Sequence, residues 1–182
     1  SQPHHRGRGL EIGCWIGWSA AHIAAAGVLL DVIDPVLQNQ AMLESVRRSL
    51  QHAGVADRVV LHDSTSPAGI DQLARSGRRW GFIFIDGNHE APHPLFDTAA
   101  AVEYAEPDAL VAFHDLASPD VAQGLEYLRQ RGWHTCIYST TQIIGAAWRG
   151  HVSPPAHAPD PRVAWHVPKH LRQFPLAPTA TG

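Results

Sequence analysis

The feature that most constrains this chain is an alternation: a short apolar run that ends at a turn or an acid, followed by a longer stretch with helical spacing. It starts with "GLEIGC" (9–14) and "SAAHIAAAG" (19–27) and continues through "VLLDVIDP" (28–35), "NQAMLESVRRSLQHAG" (39–54) and "RVVLHDST" (58–65). In the fourth of these, Ala41, Leu43, Val46, Leu50 and Ala53 make an apolar stripe, and Gly54 stands where a helix should stop. Such an alternation is βαβαβ, and consecutive parallel strands joined by right-handed crossovers give an open sheet with helices on both faces.

The pattern goes on with a helix in "PAGIDQLARSG", the strand "WGFIFIDG", a helix in "PLFDTAAAVEYA", the strand "ALVAFHD" and a helix in "PDVAQGLEYLRQRG". Two final strands are expected in "HTCIYST" and "IIGAAWR". The fold class is therefore α/β, a doubly wound, mostly parallel, seven-stranded sheet of Rossmann-like type. Residues 1–8 read as a polar leader, 9–150 as one domain, and 151–182 as an irregular arm that holds half of the 14 prolines. One short helical turn is expected in the arm near Lys169 to Arg172.

Composition removes several classes of function. A net charge of −3 builds no basic surface, so nucleic acid is not an expected partner. No apolar run approaches the roughly 18 residues that a membrane span requires, and no signal-peptide pattern is present, so a membrane is not expected either. Cys14 and Cys136 are too few and too far apart for a disulfide framework or a clustered zinc site. They suit a reducing, cytoplasmic setting.

In a doubly wound sheet, ligands sit beyond the carboxyl ends of the strands, so those ends are where chemistry is sought. The first carries Glu11, Gly13, Gly17 and Ser19 in "LEIGCWIGWS". The glycines allow a tight turn and close approach of a ligand, and the following helix offers free N–H groups. No glycine stands at 15, so the dinucleotide pattern G-x-G-x-x-G is absent, and Glu11 favours a cationic amine over a pyrophosphate. A hydrolase elbow in "GWSA" lacks its closing glycine, and Cys14 as a nucleophile is weaker still. At the second end Asp34 is placed to accept from ribose hydroxyls, with Asp31 inside the strand the lesser choice. At the third, Asp63 and Ser64 can bracket an adenine edge or, equally, cap the next helix.

The combination resembles the class I S-adenosylmethionine-dependent methyltransferases over residues 9 to 150. The resemblance implies that Glu11, Gly13 and Gly17, with Ser19 beside them, line the methionine end of the cofactor, Asp34 the ribose, and Asp63 with Ser64 the adenine.

"FIFIDGNHE" and "VAFHD" carry the rest of the chemistry. Neighbouring strands lie about 4.8 Å apart, so Asp86 at one end can converge with His114 and Asp115 at the next on one ion, Mg2+ or Mn2+. These stretches look like the metal-dependent small-molecule O-methyltransferases, the catechol-type and the sugar and macrolide tailoring enzymes. The likeness implies Asp86, His114 and Asp115 as metal ligands and His89 as the catalytic base beside Asp86. It implies a hydroxylated small molecule as acceptor, in the manner of natural product biosynthesis. His89 as an outer partner of Asp86 is the plainer alternative.

The departures from that family are specific. His114 replaces an acid and can ligate through nitrogen, favour manganese or iron, or merely orient Asp115. "EPDAL" stands where Gly-Gly is usual before the fifth strand, and Pro107 with Asp108 should still turn the chain. Almost no helix precedes the first strand, so a partner subunit in a homo-oligomer or the Pro-rich arm supplies the lid, unless the acceptor is large and the site open. Other readings are an N-methyltransferase or auxiliary cofactor-binding relative, a nicotinamide or flavin oxidoreductase, and a non-enzymatic interaction domain.

Overall fold

A computed structural model describes residues 7–179. Residues 1–6 of the expected leader lie outside them. Seven strands form one sheet: β1 (Arg8–Ile12), β2 (Leu29–Ile33), β3 (Val59–His62), β4 (Trp80–Ile85), β5 (Ala105–Phe113), β6 (His134–Ile137) and β7 (Gly145–Arg149). Their order is β3-β2-β1-β4-β5-β7-β6. The pairs from β3 to β5 are parallel, whereas β7 enters antiparallel between β5 and β6. Strand order reverses between β1 and β4, which makes their carboxyl ends the switch point.

Among the described residues five α-helices cover the sheet: α1 (Trp18–Ala25), α2 (Gln40–His52), α3 (Ala68–Arg75), α4 (His93–Glu103) and α5 (Pro119–Gln130). Alternation along each strand sends successive side chains to opposite faces. Leu10 and Ile12 of β1 join Ile70 of α3 and Leu125 of α5 in the larger core. Leu30 and Val32 of β2 join Ala20, Ala24, Val46 and Leu50 of α1 and α2 on the other face. The expected stripe of α2 thus buries Val46 and Leu50, and Asn39 caps it by accepting from the N–H groups of Ala41 and Met42.

Two local features differ from expectation. Arg8, placed in the leader, begins β1, because its guanidinium lies 3.0 Å from Asp31 of β2. Pro107 and Asp108 do not break the chain before the fifth strand. β5 starts at Ala105, and the β4–β5 register shifts between Trp80 and Phe82 to absorb them. Arg149 of β7 donates to the carbonyls of Ala105 and Glu106, and Asp108 accepts from the backbone of His151, which holds the irregular stretch in the sheet.

The arm is irregular, with its short 3-10 turn at Lys169–Leu171, but it is not loose. Leu171 is fully buried and Phe174 nearly so, both in the larger core. Ile137 of β6 exchanges backbone hydrogen bonds with Pro175 and Ala177, so the arm covers the sheet's edge. Ala177 packs with Leu110, Cys136 and Tyr138 in a third, smaller cluster. No helix among the described residues is long and apolar enough to cross a membrane.

Candidate active site

Gly13 and Gly17 carry the turn after β1, both with left-handed backbone, φ 84° and 81°. At Gly13 the requirement is doubled, because a Cβ there would lie 2.1 Å from the carbonyl oxygen of Asp86. Two bonds tie this turn to its neighbours: Gly13 N–H donates to Ile33 at 3.0 Å, and Asp86 N–H donates to Ile12 at 2.9 Å. The ends of β1, β2 and β4 are therefore one rigid rim.

Asp34 fastens the rim further. Its Oδ2 accepts from the N–H groups of Cys14 at 2.7 Å and Trp15 at 3.1 Å, while Oδ1 accepts from Val36 at 2.8 Å. The carboxylate faces the cavity but spends three of its roughly four acceptor positions on backbone, leaving one side of Oδ1 for a ligand. Trp15 is held in left-handed backbone, φ 48°, and stands 70% exposed at the mouth.

Glu11 lies beneath the turn, fully buried, and is not on the cavity wall. Its Oε1 accepts from Ser19 Oγ, while Oε2 is buried without a hydrogen-bond partner. Its pKa is raised to about 8: burial is the main cause, Ser19 works against it, and the negative charges of Asp86 and Asp34 add to it. An unpaired buried carboxylate oxygen under a glycine turn fits the ammonium end of an amino-acid cofactor, whose charge would relieve it. Ser19, engaged with Glu11, is not a free nucleophile. Cys14 is buried, and desolvation pushes its thiol far up, which removes it as one as well.

Between the strand ends lies a cavity of about 480 Å³, a size suited to a nucleoside-bearing ligand. Gly13, Trp15, Asp34, Thr65, Asp86 and Asp97 are among its walls. Asp63 and Ser64, expected at the adenine, do not line it. Asp63 is exposed, and Ser64 packs under Gly69, with Thr65 and Ser66 on the wall instead. Asp97 was not expected at all. It is 5% exposed, and burial raises its pKa. Its signal in the sequence was an acid on the apolar stripe of α4, in line with the buried Pro94, Thr98 and Ala101.

Beside the cavity the ends of β4 and β5 bring four titratable groups together. His114 Nδ1 lies 3.0 Å from Asp86 Oδ1, buried and without a well-aligned hydrogen bond. His89 lies between two acids, Nε2 3.3 Å from Asp86 Oδ1 and Nδ1 3.4 Å from Asp115 Oδ2. The Asp86 carboxylate 3.0 Å away outweighs burial and raises the pKa of His114. Asp115 has left-handed backbone, φ 59°, a conformation held at a cost and frequent at functional sites. Asp86, His89 and His114 each offer one ligand atom, all within 4.8 Å of one another. The expected trio of Asp86, His114 and Asp115 is thus not the set that converges, since His89 stands between Asp86 and Asp115. The donors suit a divalent ion that accepts nitrogen, as Mn2+ does, better than Mg2+.

The model of the methyltransferase-domain family matches residues 10–116. That span holds the glycine turn, the cavity and the four-residue cluster. Among curated proteins nothing matches. Solved structures with the same fold include an O-methyltransferase from Bacillus cereus bound to S-adenosylhomocysteine, 15% identical, covering 78% of this chain and 74% of that one, TM-score 0.62. TomG from Streptomyces achromogenes, an O-methyltransferase involved in tomaymycin synthesis and bound to S-adenosylmethionine, is 23% identical over 79% of this chain and 73% of its own, TM-score 0.62. A precorrin-6y C5,15-methyltransferase from Geobacter metallireducens is 15% identical over 80% of each chain, TM-score 0.64. At these identities the likeness is one of fold. The family match covers more than half of the sequence and includes the turn after β1: the chain belongs to the methyltransferase-domain family and is a class I S-adenosylmethionine-dependent methyltransferase.

Proposed function

We propose that the protein transfers a methyl group from S-adenosylmethionine to a hydroxyl of a small molecule, with a divalent ion assisting. The observation that carries this reading is the double position of Asp86, which lines the cavity and also belongs to the imidazole–carboxylate cluster. A methyl donor in the cavity and an acceptor at the cluster would then meet across one side chain.

When bound, the cofactor supplies an electrophilic methyl on a sulfonium. A divalent ion, held by Asp86 and its neighbours, would lower the pKa of an acceptor hydroxyl. The chain's own residues do the remainder. Glu11 places negative charge under the ammonium end, Asp34 offers its remaining acceptor position to a ribose hydroxyl, and Thr65 and Ser66 take the wall expected for Asp63 and Ser64. The cofactor would give its methyl to an acceptor oxygen, its carbon–sulfur bond breaking with the electrons to sulfur, and the cluster of Asp86, His89, His114 and Asp115 would take the acceptor proton. The family likeness gives that proton to His89. The likeness to the tailoring enzymes supports a sugar or secondary metabolite as acceptor.

The test is methyl transfer from labelled cofactor to a panel of hydroxylated metabolites, with and without divalent metal. Metal-stimulated transfer to oxygen that falls at least 100-fold in Asp86→Ala is expected. Transfer to nitrogen alone, or none while S-adenosylhomocysteine binds normally, refutes the reading.

A further inference from the structure

We infer that Asp97 of helix α4, with Ser66 beside it, reads the 6-amino group of the cofactor's base and makes the cavity selective for a 6-aminopurine, a task that no acid at the end of β3 performs here. The inference rests on the cofactor placement proposed above and not on the acceptor or the metal, so binding is its readout and a failure of transfer to oxygen leaves it untouched.

Placement is the first ground. With the ammonium end over Glu11 and the ribose at Asp34, the base belongs at the remaining end of the cavity. Pro35, just after β2, and Gly87 with Asn88, just after β4, flank it, and Thr65 and Ser66 close it. Asp63, the acid expected there, is exposed and off the wall. Asp97 is the acid that stands on the wall with Ser66, and it arrives from a helix rather than from a strand end.

The second ground is unspent hydrogen-bonding capacity. Asp97 is 5% exposed, yet no well-aligned hydrogen bond reaches its carboxylate from a described residue. Asp34 differs, since backbone N–H groups take up most of its acceptor positions. Burial raises the pKa of Asp97, and Ser66 and His93 ease its charge only in part. The Ser66 hydroxyl is itself buried without an aligned partner. Two such groups on one wall lose stability unless a ligand completes them.

Gly87 supplies the third. A Cβ there would lie 3.0 Å from Asp97 Oδ2 and 3.3 Å from Ile12 Cγ2. The bare backbone after β4 thus leaves room for the carboxylate to lie against the loop that flanks the base.

The chemistry fits a 6-amino group, which offers two N–H donors. Ionised, Asp97 only accepts. Protonated, it still accepts through one oxygen and can donate to a ring nitrogen, the pairing that amide side chains make with adenine. A purine without the amino group leaves Asp97 unpaired in either state, and sites built to bind an N–H reject ligands that lack it.

The test is calorimetry of the full-length chain with S-adenosylhomocysteine and with its analogue bearing hydrogen in place of the 6-amino group. The wild type should bind S-adenosylhomocysteine at least tenfold more tightly than the analogue. Asp97→Leu, which keeps the branching of the side chain without its oxygens, should bind the two alike and hold the analogue within about twofold of its wild-type affinity. Asp97→Asn, which keeps an acceptor oxygen, should retain a preference for the amino form. Thermal melts check folding, and Asp97→Ala serves if the leucine variant is unstable. Equal binding of both ligands by the wild type overturns the inference. So does a variant that weakens both by the same factor, the mark of a structural role alone.

Discussion

Glu11 and Asp31 are acids on adjacent strands, and both are fully buried, yet the protein treats them oppositely. Asp31 meets donors on every side: Arg8 at 3.0 Å, the Trp80 indole N–H at 3.0 Å, His62 at 3.4 Å and Arg78 at 3.9 Å. Burial alone would raise its pKa, but those hydrogen bonds and cations outweigh it and hold the carboxyl below its usual value. Glu11 has Ser19 on one oxygen, nothing on the other, and a pKa raised to about 8. One acid is a finished structural hub. The other is left incomplete beneath the glycine turn, and a buried acid with a perturbed pKa beside a cavity is what a binding site leaves where a core would not.

Breaking the hub should have the largest effect. Asp31→Ala leaves Arg8, the Trp80 N–H and His62 facing an emptied interior, and removal of one partner from a buried charge network costs about 3–5 kcal/mol. Urea denaturation at pH 7 should show that loss. A change below about 1 kcal/mol would mean that the network contributes little and that the contrast with Glu11 is only apparent.

The pH dependence of stability separates the two acids next. Asp31 has a folded pKa below its unfolded value, so its contribution is present at neutral pH and is lost only as pH falls through the acid range below about 4. Glu11 runs the other way. With a folded pKa of about 8 against 4.5, folding takes up a proton between those values, and stability falls as pH rises through that window. Glu11→Gln should remove this slope and stabilise the protein at pH 8 by on the order of 3 kcal/mol. A wild-type stability curve that is flat from pH 5 to 8, unchanged in Glu11→Gln, would show that Glu11 is ionised and solvated.

A ligand should complete what the fold leaves open. If the ammonium of S-adenosylhomocysteine settles above Glu11, the carboxyl ionises on binding and a proton is released at pH 7. Calorimetry in buffers of different ionisation enthalpy would measure it. The same experiment on Glu11→Gln should show no such release and about tenfold weaker binding, the value of one charge-assisted contact. Binding without proton release would place the ammonium elsewhere.

The contrast between the two acids bears on what a sequence reveals. Periodicity located the strands and helices, because alternation and the stripe of α2 are local properties of the chain. The strand-end rule then brought Asp34 and Asp86 to the cavity wall and His114 and Asp115 beside it, with Glu11 buried beneath the turn, since it needs only topology. Asp31, read as the lesser choice inside its strand, is fully buried, but nothing local shows that Arg8 and Trp80 would reach it from other strands. Thr65 and Ser66 stand on the cavity wall in place of Asp63 and Ser64 because the exact exit of β3 is set by how α3 packs. The position of His89 between two acids depends on side-chain directions at two strand ends, as does the demand that Gly13 clear the backbone of Asp86. The arm was misleading in a different way: its prolines rule out regular structure, but Leu171 and Phe174 bury themselves without it.

Ser19 offers the smallest and most specific test. Its hydroxyl is the one hydrogen-bond donor to Glu11 among the described residues, and donation to a carboxylate favours the charged form. Ser19→Ala should therefore raise the pKa of Glu11 above about 8 and extend the pH window of falling stability upward. Where Glu11 is neutral, below about pH 5, the cost should be about 1 kcal/mol, that of an ordinary hydrogen bond. Above pH 9 it should be larger, because the lost donor then leaves a charge unpaired. Denaturation curves at both pH values give the two numbers. An equal cost at each would mean that the hydroxyl does not sense the charge on Glu11, and Ser19 would then serve the helix start of α1 alone.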